Sequence, residues 1–153
     1  MRDADIVNFF LDRGIPCTYE EASLIIAQYD ENSNGKLSFT EFTQFALSAT
    51  DESIRQLAAS RDYSAYKSGI PVLPLDLEDL LYNLFLAELE FQRCVARIRE
   101  DLGSRIDFTS KHAFEWIDVN NPIGSINRCE IRQFVEAHIR TPTENELDCI
   151  IRR

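Results

Sequence analysis

The chain has 153 residues, 44 % of them hydrophobic, and carries 16 Lys and Arg against 26 Asp and Glu, a formal net charge of −10. That length allows one domain or two small lobes, and the hydrophobic fraction suits a globular fold. The acidity argues against a phosphate-tracking surface, which needs clustered Lys and Arg, so no nucleic-acid partner is expected.

In chain order, Ile6, Phe9 and Phe10 recur at helical spacing and predict a short first helix. Thr18 and Glu21 form a T-x-x-E box that opens a second, whose apolar face is Ala22, Ile25, Ile26 and Tyr29. The stretch from Asp30 to Glu41 then reads D-E-N-S-N-G-K-L-S-F-T-E. It sets oxygen-bearing side chains at its first, third, fifth, ninth and twelfth positions: Asp30, Asn32, Asn34, Ser38 and Glu41. Gly35, sixth, stands where a sharp turn needs φ > 0. Leu37 follows Lys36 and is apolar and β-favouring, and Phe39, Phe42, Phe45 and Ala46 form the face of an exiting helix.

A short helix is predicted from Glu52 to Ala59. Gly69, Pro71 and Pro74 mark a linker, in which Tyr63 and Tyr66 are expected to pack on this chain or on a partner. From Leu75 to Leu102 there is neither Gly nor Pro, and about 27 residues give a helix of roughly 40 Å, closed by Gly103. Its main apolar row is Leu77, Leu80, Leu84, Ala87, Phe91, Cys94 and Ile98; Leu81, Phe85, Val95 and Leu102 widen it. Such a stripe must bury against the lobes, a second copy or a foreign helix. Internal docking is the expectation, with self-association through residues 77–102 left open.

The pattern around the first loop then returns. Ala113, Phe114 and Ile117 run into Asp118, and Ile131, Phe134 and Val135 follow Glu130. Between them lies D-V-N-N-P-I-G-S-I-N-R-C-E, one residue longer than the first loop. Counted back from Glu130, Gly124 is the turn glycine, Ile126 the β-position and Asn127 the ninth position. The insertion therefore falls near Asn121, Pro122 and Ile123. Thr143 and Glu146 repeat the Thr18–Glu21 box, and Leu147, Ile150 and Ile151 align with Ala22, Ile25 and Ile26.

The first loop and its flanks resemble the calcium loop of the EF-hand superfamily, calmodulin-like proteins among them. The resemblance implies that Asp30, Asn32, Asn34, Ser38, a bidentate Glu41 and the carbonyl of Lys36 hold one Ca²⁺. Two charged ligands beside neutral ones imply affinity in the sensor range of ~10⁻⁷–10⁻⁵ M or weaker. The second loop would offer a distorted set, Asp118, Asn120, Asn127 and Glu130, expected to bind weakly or not at all. The chain ends look like half hands, as in a segment of a four-hand protein. The expected fold is all-α: a lobe over 1–50, a linker over 51–74, a long helix over 75–103 and a lobe over 104–153. The function implied is a calcium-responsive module that grips a helical segment of a protein partner. The alternative is a structural scaffold or clamp in a cytoskeletal or ciliary assembly, with calcium static or absent.

Other chemistries find little footing. Cys17, Cys94, Cys129 and Cys149 make no C-x-x-C pair, and His112 and His138 complete no zinc pattern. Free thiols in a reducing compartment are expected. No apolar run approaches the ~20 residues of a membrane span, and Arg2 stands where N-myristoylation needs glycine. A cytoplasmic protein is expected, with cytoskeletal or ciliary association left open. No nucleophile–base spacing or phosphate loop stands out, so no enzyme is expected; His112 and Trp116 read as partly buried helix residues.

Overall fold

The computed structural model describes residues 1–47, 51–61, 73–119 and 124–152. The described residues form helices and no strand: α1 (Asp3–Leu11), α2 (Tyr19–Tyr29), α3 (Phe39–Ala46), α4 (Glu52–Ser60), α5 (Leu75–Ser104), α6 (Ser110–Ile117), α7 (Arg128–His138) and α8 (Glu144–Arg152). They gather into two compact units, Met1–Arg97 and Ile98–Arg153, and α5 passes from the first into the second. Tyr63 and Tyr66 lie outside the described residues.

The helix starts follow the predicted boxes. Thr18 Oγ1 accepts from Glu21 N at 3.1 Å and Thr18 N donates to Glu21 Oε2 at 2.9 Å. Thr143 and Glu146 repeat that exchange at 3.3 and 2.8 Å. Each satisfies two backbone donors that a helix start would leave orphaned. Gly103 does not close α5: it lies inside the helix, outside the left-handed region, and Ser104 is the last residue.

The first unit is held by Ile6, Val7 and Phe10 of α1, Ala22, Ile25 and Ile26 of α2, Leu37, Phe45 of α3, and Phe85 and Leu89 of α5. α5 docks internally as expected, but by a different row. Phe85 sits 4.4 Å from the Phe45 ring and 5.5 Å from Phe9, centroid to centroid. Leu77, Leu80, Phe91 and Cys94 of the predicted main row are exposed, and Leu84 is half-buried. Sequence periodicity cannot choose between two apolar rows on one helix. The choice follows from what the neighbours offer. Phe85 fills the space among Phe9, Phe10 and Phe45, and Tyr29 donates its hydroxyl to Glu88 at 3.4 Å, so the buried row can carry polar residues. Gln92 donates to Gln28 at 2.8 Å. At the edges Arg13 bonds Glu78 and Asp79, and Arg93 bonds Glu21 and the Pro16 carbonyl.

In the second unit, Leu147 is fully buried, whereas Ile150 and Ile151 are exposed, unlike the Ile25 and Ile26 with which they align. Polar staples join α7 to α8: Arg128 reaches Asp148 and Glu144, and Arg132 also reaches Glu144. Trp116, expected to be partly buried, is 60 % exposed; its ring meets Phe134 at 5.4 Å and His138 at 4.8 Å. His112 is exposed and pairs with Thr109.

Candidate cation-binding loops

The first loop is built between the end of α2 and the start of α3. Asp30 caps α2, and its carboxylate accepts from Asn34 N at 3.1 Å and from Gly35 N at 2.7 Å. Gly35 has φ +74°, as the sharp turn requires. Ser38 caps α3; its Oγ accepts from Glu41 N at 3.3 Å, and its own N–H donates to Glu41 Oε2 at 2.7 Å. Asn32 Nδ2 donates to Glu41 Oε1 at 2.8 Å, so the third and twelfth positions of the loop meet directly. The backbone N–H of Asn34 takes part; Lys36 is exposed. Glu41 is only 3 % exposed, yet hydrogen bonds from Ser38 hold its carboxyl below the usual range. It is therefore an anion at neutral pH, as a cation ligand must be.

The second loop keeps this construction despite its extra residue. Asp118 caps α6, and its Oδ2 accepts from Gly124 N at 3.3 Å, as Asp30 accepts from Gly35. Gly124 has φ +78°. Asn127 caps α7, its Oδ1 accepts from Glu130 N at 3.1 Å, and its N–H donates to Glu130 Oε2 at 2.9 Å. Asp118 is thus tied to Gly124, and Asn127 to Glu130, in the register counted back from Glu130. Asn120 and the insertion at Asn121, Pro122 and Ile123 lie outside the described residues.

The two loops differ in how far their acids are satisfied. Asp118 is 6 % exposed and Glu130 1 %, and Asp118 Oδ1 and Glu130 Oε1 have no hydrogen-bond partner among the described residues. A buried carboxylate oxygen without a donor costs several kcal/mol unless a cation or ordered water meets it. No group of three or more His, Cys, Asp or Glu gathers among the described residues. The expected ligand positions of each loop carry two acids and otherwise neutral oxygens, a set that suits a hard cation and not a thiophilic one.

The backbone half of the same capping exchange precedes α1, at the chain end read from sequence as a half hand. Arg2 N donates to Asp5 Oδ2 at 2.7 Å, matching Ser38 and Glu41. Met1 and Leu37 exchange two backbone hydrogen bonds, at 2.8 and 2.9 Å. Met1 thus pairs with the β-position of the first loop. The spacing of Arg2 and Asp5 was a usable signal; Arg at the capping position hid it, since its side chain cannot accept.

No helix among the described residues is long and apolar enough to cross a membrane. No family model, curated protein or solved structure matches the chain.

Proposed function

We propose that this chain is a calcium-binding helical protein of the EF-hand kind, a binding module and not an enzyme. One observation carries the reading. Asp118 and Glu130 are buried acids, each with a carboxylate oxygen that has no hydrogen-bond partner among the described residues, and Glu41 is buried at the matching position of the first loop. Such acids call for a cation from outside the chain. Asp30, Asn32, Asn34, Ser38, Glu41 and the Lys36 carbonyl would hold Ca²⁺ in the first loop; Asp118, Asn127 and Glu130 would hold it more weakly in the second. The ion would supply positive charge that draws each Glu toward its Asp.

Calcium in the first loop would pull on Glu41 and so on α3, whose Phe45 bears on Phe85. The partner helix of the first unit is then α5 itself, and a foreign helix would have to displace it. The buried state of Phe85 and Leu89 also favours the scaffold reading, in which the ion is static.

Calorimetric titration of calcium into the parent chain, Glu41→Gln and Glu130→Gln tests the assignment. The parent should show one site in the range of ~10⁻⁷–10⁻⁵ M and a weaker second. Glu41→Gln should abolish the first and Glu130→Gln the second, because an amide cannot be a charged bidentate ligand. An isotherm unchanged by Glu41→Gln would sink the proposal.

A further inference from the structure

We propose that the outward face of α5 pairs with the same face of a second copy, the two helices running antiparallel. The first unit buries α5 through Phe85 and Leu89, with Tyr82 and Gln92 beside them. At 100° per residue, Leu80, Ala87, Phe91 and Cys94 lie on the opposite side and Leu77 and Leu84 continue their row at its edge, Leu84 also packing half-buried on the core of its own chain. Its three-four alternation is that of the a and d positions of a coiled coil, held over the part of the helix that belongs to the first unit. Leu80 is 66 % exposed, and Leu77, Ala87 and Cys94 are exposed too. Phe91, although engaged within its own chain, still exposes 43 % of its surface.

The flanking charges select the direction. The positions beside the a residues are Asp76, Asn83, Glu90 and Arg97, and Asp76 and Arg97 are exposed. Antiparallel pairing sets Asp76 against Arg97 of the second copy, twice by symmetry, and Asn83 against Glu90. Parallel pairing would set these residues against Leu81, Glu88, Val95 and Leu102, with no opposite charges. The core layers also match in size. Antiparallel pairing puts Leu77 on Cys94, Leu80 on Phe91 and Leu84 on Ala87, each large residue meeting a smaller one or filling beside a ring.

The test uses the full chain. Sedimentation should give twice the 17.6 kDa of one chain. Asp76→Arg should weaken the dimer roughly tenfold by opposing two arginines at each end. Adding Arg97→Asp should restore it. In a background carrying Cys129→Ser and Cys149→Ser, mild oxidation should crosslink Leu77→Cys to the Cys94 of the other copy and leave the parent uncrosslinked. Circular dichroism should find all variants as helical as the parent, since every change lies at an exposed position. A monomeric parent at its highest soluble concentration overturns the proposal, whether a foreign helix or another part of the chain covers the face. Failure of the charge swap to restore the dimer overturns it too. So does self-crosslinking through Cys94 in the parent, which marks the parallel arrangement.

Discussion

Glu146 shows how much of the chain's chemistry is set by single side chains. It accepts from Thr143 N at 2.8 Å and from Arg140, and Arg140 with the Thr143 N–H holds its carboxyl down to about 2, from an ordinary 4.5. A carboxyl depressed in the folded state contributes stability above its unfolded pKa and loses it as pH falls through the folded value. The start of α8 should therefore hold above pH 4.5 and loosen as pH drops toward about 2. Carboxyl NMR should find the Glu146 midpoint near 2, with amides of the first turn of α8 exchanging faster below it; a midpoint at 4.5 would refute the assignment. At this scale the sequence was a good guide. The capping boxes are local and follow from spacing alone. The orphaned oxygens of Asp118 and Glu130 were not legible, because burial depends on residues far along the chain.

At the scale of elements, α5 separates what periodicity can say from what packing decides. Its length was legible from the absence of Gly and Pro. Its buried face was not, because Leu77, Leu80 and Leu84 look as core-like as Phe85 and Leu89. Phe85 is 2 % exposed and touches the rings of Phe9, Phe10 and Phe45. Phe85→Ala should leave a cavity and cost about 3–5 kcal/mol. Leu80→Ala, measured in dilute solution so that association does not contribute, should cost within about 0.5 kcal/mol. Urea denaturation of the two variants decides between the faces. A larger loss from Leu80→Ala would mean that the helix is turned the other way. The ion pairs of Arg13 and Arg93 orient the helix; being exposed to solvent screening, they add little stability.

At the scale of the whole molecule, the first candidate loop and the long helix are joined by a short chain of rings. Tyr29 ends α2 just before Asp30, and its ring lies 5.1 Å from Phe45; Phe45 lies 4.4 Å from Phe85; and the Tyr29 hydroxyl reaches Glu88. Glu41 and Phe45 are one turn apart on α3, so a movement of one moves the other. A close-packed cluster of this kind does not deform smoothly; it changes by repacking. Calcium drawn to Asp30 and Glu41 should therefore disturb the seat of Phe85 and loosen α5 from the first unit. Hydrogen exchange followed by mass spectrometry, with and without calcium, reads this directly. In the parent chain, amides around Phe85 and Leu89 should exchange faster when the ion is bound. In Glu41→Gln they should not respond. Binding seen by calorimetry with no change in α5 exchange would leave the ion static and make the protein a scaffold. The Phe45–Phe85 contact is the point where the two readings part, because only a responsive module must move it.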